Sequence, residues 1–295
     1  MDPLPTRPLR RRPPAERVRE RVRAAAGDRV ARALPDGYQR LGRVLVLRLP
    51  ESLRPEFALI GASWREEIGV ATVLVRTGPI AGELRTPQVE TIAGTETITE
   101  VVEHGIRWRF DAARIMFAAG NRVERVRAGT LVRPGETVAD LFAGIGYFAI
   151  PAAVRGGARE VLAIDKNPDA IRYLRENAEL NGVADRVRPV EGENRAVPVR
   201  LHAFDRVFLG YLPSAVPWVP RALELLRPDG GWIHVHTIAD ARGGLATASA
   251  SVEREVEGAR GRLLDPPHAR EVKAYGPGRV HVVVDAHVRP APTGR

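Results

Sequence analysis

One stretch limits what this chain can fold into more than any other: Val138-Ala139-Asp140-Leu141-Phe142-Ala143-Gly144-Ile145-Gly146-Tyr147-Phe148. Val138 to Leu141 are apolar apart from Asp140, as in a strand covered on both faces. Gly144 and Gly146 permit backbone conformations and close approaches that a Cβ would block. Residues Ala149 to Val154 then read as a helix. A strand, a glycine turn and a helix in this order let a ligand lie across the strand end, against the first amides of the helix.

The rest of the chain repeats that alternation. Strands are expected at Glu160 to Ile164, Val187 to Val190, Arg206 to Leu209 and Gly231 to His236. Helices are expected at Ala170 to Leu180, Pro217 to Leu226 and Leu245 to Leu264. Glu271 to Tyr275 and Val280 to Val288 flank Gly276-Pro277-Gly278 as a closing hairpin. This alternation predicts an α/β fold: a doubly wound, mostly parallel sheet with helices on both faces and an antiparallel edge.

The first part of the chain reads differently. A strand at Arg43 to Leu49, a helix at Pro55 to Ile68 with Leu59, Ile60 and Trp64 inward, and a strand at Val70 to Val75 precede short β pieces between Glu83 and Phe110. Arg122 to Ala128 reads as a linker helix. The expected division is a basic N-terminal arm and helix over residues 1–35, a small α+β domain and linker helix over 36–128, and a Rossmann-like catalytic domain over 129–295. Arg7 and Arg10-Arg11-Arg12 make the arm basic. The arginines of the helix at Glu16 to Leu34 suit either phosphate contacts or a solvated face.

The net charge of +9 favours a polyanionic partner such as nucleic acid, although the excess is nearly all Arg, with only Lys166 and Lys273 as lysines. The chain has no cysteine, which excludes a disulfide framework, a thiolate metal site and a cysteine nucleophile. No apolar run is long enough for a membrane span or a signal peptide, and a cytoplasmic protein is expected. His234 and His236 share one strand face, but no third ligand accompanies them, so no metal site is expected.

The glycine turn fits two cofactors. Gly144-x-Gly146-x-x-Ala149, with Asp165 at the end of the next strand, matches the loose dinucleotide pattern, and such an acid suits a ribose hydroxyl in NAD or in S-adenosylmethionine (SAM). Asp140 lies at the first strand end, where it meets a cationic amino-acid group or orders the loop. Glu193-Asn194 follows the third strand, placed for an adenine edge. Acids on three successive strand ends favour SAM over NAD.

Asp140-Leu-Phe-Ala-Gly-Ile-Gly-Tyr-Phe148, with Asp165-x-Asn167-Pro168, Asn177 to Asn181, Gly192-Glu193-Asn194-Arg195 and Asp205-Arg206-Val207, resembles a tRNA-modifying family of two branches. One branch methylates N1 of the guanosine 3′ to the anticodon. The other moves the 3-amino-3-carboxypropyl group of SAM onto a tricyclic guanosine derivative on the way to wybutosine. The resemblance covers roughly residues 40 to 290 and implies a class I SAM-dependent methyltransferase fold, SAM as cofactor and tRNA as partner. It also places Ala118, Phe142, Ala143, Lys166, Asn167 and Gly210 among the cofactor contacts, beside Asp140, Gly144, Gly146, Asp165, Glu193 and Asn194.

The branch is read at two places. Leu209-Gly210-Tyr211-Leu212-Pro213-Ser214 resembles the aminocarboxypropyl branch, where the methylating branch carries an Asn. Phe117-Ala118-Ala119-Gly120-Asn121, followed by Glu124-Arg125, also resembles that branch, as does His234-Val235-His236. Ala118 stands where a Ser is common, and Glu193 where Asp is common. In either branch positioning carries the chemistry, because the SAM sulfonium activates both its methyl and the Cγ of its methionine chain. Arg125 is the candidate to hold the cofactor carboxylate. Glu124 is a candidate general base or a helix-face carboxylate, and it could also pair with Arg125. Tyr147, Tyr211 and Trp218 either stack on a base or pack in the core. The expected activity is aminocarboxypropyl transfer to a wyosine-type guanosine in tRNA. The alternatives are guanine N1-methylation of tRNA, transfer to a small molecule, or nucleotide binding without catalysis on RNA.

Overall fold

The computed structural model describes residues 12–292. Arg7, Arg10 and Arg11 of the basic arm lie outside them. The chain divides into two compact units, one of residues up to Val101 with Phe110–Met116, the other of Val102–Arg109 with Phe117 onward.

In the first unit, helix α1 (Pro14–Ala33) precedes strands β1 (Gln39–Leu41) and β2 (Val44–Leu47), helix α2 (Phe57–Ile68), and strands β3 (Thr72–Arg76) and β4 (Val89–Ala93). The sheet order is β1-β2-β3-β4, with β2 and β3 parallel across α2. α1 is bent at Gly27, whose φ of 82° suits glycine alone. Val18, Val22 and Val30 pack with Leu45, Leu47, Ile60, Trp64, Val73 and Val75. Helix α1 is thus part of this core. Its polar face is also occupied: Arg17 pairs with Glu67, Arg19 with Asp36 at 2.6 Å and Arg21 with Glu66 at 2.5 Å. α2 begins at Phe57, because Glu51–Glu56 forms a 3₁₀ turn, and it ends at Gly69 with φ 68°. Ile60 and Trp64 are buried as expected, whereas Leu59 is half-buried.

Strands β5 (Ile98–Glu103) and β6 (Ile106–Asp111) form a two-stranded ribbon. Positive φ at His104 (50°) and Gly105 (79°) makes its turn the kind that matches strand twist.

The second unit carries helix α3 (Arg122–Leu131), then β7 (Thr137–Asp140), α4 (Ala149–Val154), β8 (Glu160–Asp165), α5 (Pro168–Leu180), β9 (Val187–Glu191), β10 (Arg206–Leu209), α6 (Val219–Leu225), β11 (Gly231–Asp240), α7 (Gly244–Gly258), β12 (Arg262–Leu263), β13 (His268–Gly276) and β14 (Arg279–Arg289). The sheet runs β12-β14-β11-β10-β7-β8-β9, and β13 also pairs with β14. β9, β8, β7, β10 and β11 are parallel, and β14 runs antiparallel to β11. α6 and α7 bury Ala222, Leu223, Ala248, Val252 and Val256 against Val207, Leu209, Ile233, Val235, Val282 and Val284 on one face. α4 and α5 take the other, over β7, β8 and β9. Strand order reverses between β7 and β10, which opens the crevice at their carboxyl ends where ligands bind in such sheets.

Helix α7 stops at Gly258, six residues short of the expected end at Leu264. Arg260 adopts φ 59°, its N–H donates to Glu257 O (2.8 Å) and Gly261 N–H to Val256 O (2.8 Å). That is a helix-ending motif usually built on Gly, here built on Arg, which hides the stop from a sequence reading.

Candidate SAM site at the strand ends

The crevice is floored by the glycine turn. Gly144 has φ 55°, and a Cβ there would lie 2.8 Å from the Tyr147 ring. Gly146 has φ 101°, and its Cβ would lie 2.5 Å from Ile150 and 2.7 Å from Leu174. Both positions therefore need glycine for conformation and for space. Ala143 N–H donates to Ile164 O (2.9 Å), which seats the turn on β8, and Ala143 O accepts Gly146 N–H (2.8 Å), which closes the turn.

Three acid-bearing strand ends meet here. Asp140 is fully buried; one carboxylate oxygen accepts Phe142 N–H (3.3 Å) and the other has no hydrogen-bond partner. Burial pushes this carboxyl up to about 7, opposed by the Phe142 N–H and aided by the neighbouring Asp165. Asp165 accepts Gly144 N–H (2.8 Å) on one oxygen and Asn167 N–H (2.9 Å) on the other. Burial raises its pKa, and those backbone donors oppose the rise. A carboxylate has about four acceptor positions, so these backbone donors leave capacity for a ligand. Asn167 caps α5 by accepting from Asp169 N–H (3.0 Å). Asn194 donates its amide to Leu141 O (3.0 Å), and its amide oxygen is buried with no partner. Glu193 is exposed, 3.9 Å from Lys166.

A buried, unpartnered acceptor is costly unless something donates to it. Two of them, on Asp140 and Asn194, stand at the ends of β7 and β9. An ammonium and an amino group are the complementary donors, which is what the two ends of SAM present. The residues present fit that cofactor.

The remaining candidates stand around this centre. Gly210 follows β10, and a Cβ on it would lie 2.7 Å from the Phe148 ring. Tyr211 stacks on Phe142 (centroids 5.0 Å), and Trp218 meets Phe142 edge-on (5.2 Å). Arg195 lies over Trp218 at 4.8 Å. Arg125 is buried: its Nε and one terminal nitrogen donate to Glu103 (2.9 and 2.6 Å), and the other donates to Ala118 O (3.0 Å). Its guanidinium covers Phe117 (4.6 Å) and sits 5.8 Å from the Tyr147 ring, so Arg125 and Ala118 reach the glycine turn through Tyr147. Tyr147 is half-buried and packs against Trp108 and Phe117. Glu124 is buried beside Arg270 and 3.7 Å from Arg127, so it faces β13 and not Arg125.

His234 and His236 are buried in a polar layer between strands. Arg206 donates to His234 Nε2 (2.7 Å) and bridges Glu136 (2.8 Å), so His234 must donate from Nδ1 to Asp285 (2.6 Å). Burial lowers the pKa of His234. His236 contacts His281 (2.8 Å) and stacks on Phe148. Among the described residues no cluster of three or more His, Cys, Asp or Glu is arranged to hold a metal ion.

Sequence reasoning missed Glu103, Phe148 and Arg221. Glu103 lies 22 residues before its partner, on a separate ribbon, and no spacing links them.

Residues 99–262 match the TRM5/TYW2 methyltransferase domain, and residues 18–97 match the TYW2 N-terminal domain. The chain is 36% identical to a tRNA(Phe) (4-demethylwyosine(37)-C(7)) aminocarboxypropyltransferase of Pyrococcus horikoshii over 92% of this chain and 96% of that one. It superimposes on the crystal structure of P. horikoshii TYW2 in complex with MeSAdo with a TM-score of 0.81 (32% identity, 93% of this chain and 99% of that one). For M. jannaschii TYW2 in complex with AdoMet the TM-score is 0.71 (31% identity, 86% and 100%). Both domain matches, the fold and the strand-end site agree: the chain belongs to the TRM5/TYW2 family of SAM-dependent tRNA-modifying enzymes, on its TYW2 side.

Proposed function

We infer that this chain moves the 3-amino-3-carboxypropyl group of SAM onto a wyosine-type guanosine of tRNA, and that it does so in the cytoplasm. When bound, SAM supplies a sulfonium that activates both its methyl and its Cγ carbon. The protein's part is to fix which carbon meets the acceptor. Asp140 accepts the cofactor's ammonium with its unpartnered oxygen, Asp165 accepts from ribose, and Asn194 accepts from the adenine amino group. Gly144 and Gly146 let the backbone come close. Arg125, pinned by Glu103, keeps one further N–H on each terminal nitrogen for the carboxylate. Phe142, Tyr211 and Trp218 form an aromatic surface suited to a stacked base.

The observation that carries this choice of group is the end of β10. Gly210 puts no side chain there, and Phe148 fills the space, so no amide or acid is aimed at an acceptor base as in N1-methylation. The match of residues 18–97 to the TYW2-type N-terminal domain supports the same branch.

The test is product identity. Incubated with SAM and tRNA carrying the 4-demethylwyosine base, the protein should release methylthioadenosine, seen by mass spectrometry. Release of S-adenosylhomocysteine overturns the reading in favour of methyl transfer. Turnover with a small molecule but not with tRNA overturns the acceptor.

A further inference from the structure

The acceptor on Asn194 works only if its loop is held still. Asn194 follows β9 in a loop with little internal bonding of its own: Ala196 and Val197 N–H both donate to Glu193 O (2.9 Å). Arg221, on the first turn of α6, reaches this loop. Its Nε donates to Asn194 O (3.0 Å) and one terminal nitrogen to Val197 O (3.2 Å), while the other pairs with Glu224 (2.7 Å). Arg195 returns the contact, donating to Pro217 O (2.8 Å) just before α6. One planar guanidinium thus spans two loop carbonyls, a geometry that lysine, with a single point of charge, does not reproduce.

The Asn194 amide is oriented by the same arrangement. Leu141 O can only accept, so the amide NH₂ must face it, and the amide oxygen is turned the other way, buried and unpartnered. Fixing the backbone at Asn194 O fixes where that oxygen points.

We propose that Arg221 is a positioning residue for nucleoside selection: by clamping the Asn194 and Val197 carbonyls, it aims the Asn194 amide oxygen at the 6-amino group of the cofactor's adenine. The proposal rests on the reading of Asn194 given above. It predicts discrimination between ligands that keep or lack that amino group, and a residue that merely supports the fold would not affect this ratio.

The experiment measures calorimetric dissociation constants for adenosine and for purine riboside, which lacks the 6-amino group. The full chain is compared with Asn194→Ala, Arg221→Ala and Arg221→Lys, and a thermal melt is recorded for each. The parent chain is expected to prefer adenosine by about tenfold, the cost of leaving one buried acceptor unpaired. In Asn194→Ala and Arg221→Ala the preference should fall to about twofold or less. Arg221→Lys should lose most of it while keeping the charge. If Arg221→Ala keeps the full preference, the positioning role is wrong, even if its melting temperature falls. If Asn194→Ala keeps it, the adenine reading of Asn194 is wrong, whatever Arg221 does. Should Arg221→Ala not fold, Arg221→Lys decides on the same ratio.

Discussion

Asp140 shows how far burial sets a site's chemistry. Its carboxyl ordinarily titrates near 3.8, and burial lifts it to about 7. The folded pKa lies above the unfolded one, so the group costs nothing below about pH 4. The cost grows as pH rises towards 7 and is constant above, at about 4 kcal/mol. Asp140→Asn should therefore melt at or above the parent's temperature at pH 8, and that advantage should vanish at pH 4. SAM binding should weaken roughly tenfold or more, because the ammonium loses its anion. Binding by the parent should tighten as pH rises through 7. Calorimetry that shows equal SAM affinity in Asp140→Asn would remove this residue from ammonium recognition. The sequence marks Asp140 and Asp165 because each ends a strand with an apolar run, and Asn194 because it follows the next strand. Their hydrogen bonding was not: Asp165 already holds Gly144 N–H, and Asn194 spends its NH₂ on Leu141 O.

At the scale of elements, the pair of α3 and the ribbon tip is the clearest case. Arg125 and Glu103 are both nearly buried, with side-chain exposures of 5% and 13%, so removing one partner strands a charge. Glu103→Ala should cost about 3 kcal/mol or more in urea unfolding, and adding Arg125→Met should recover part of that loss. Arg125→Ala should weaken SAM binding; unchanged affinity and turnover would rule out its hold on the cofactor carboxylate. Element types were read well where periodicity is strong, as in β7, α4, β8 and α5. Ends were read less well. Leu264 lies outside α7 because Arg260 takes a left-handed conformation that nothing in its side chain announces.

For the whole molecule, charge is the relevant quantity. The net charge of +9 suits a tRNA substrate, yet much of the arginine is spent internally. Arg17, Arg19 and Arg21 of α1 pair with acids of their own unit, which takes them out of the count of free phosphate contacts. The KM for tRNA should still rise about tenfold or more between roughly 50 and 200 mM salt. SAM affinity should change by less than about twofold, since Asp140 and Asn194, proposed to hold it, are buried. A salt-independent KM for tRNA would contradict an electrostatic footprint on RNA. No helix among the described residues is long and apolar enough to cross a membrane.

The glycine turn was the feature that the sequence by itself determined most fully. Local constraints write themselves into single positions: Gly144 and Gly146 need positive φ and space, and strands β7, β8 and β10 need apolar runs. The branch of the family was legible for the same reason, at Gly120-Asn121 and at Gly210 to Pro213. Tertiary structure decided which charges meet. Glu124 faces Arg270, Arg125 faces Glu103, and Arg221 reaches back to Asn194. With 45 basic and 36 acidic residues, no spacing selects those partners. They are chosen by the crossing of elements far apart in sequence, and by the penalty for leaving a buried charge or acceptor without one.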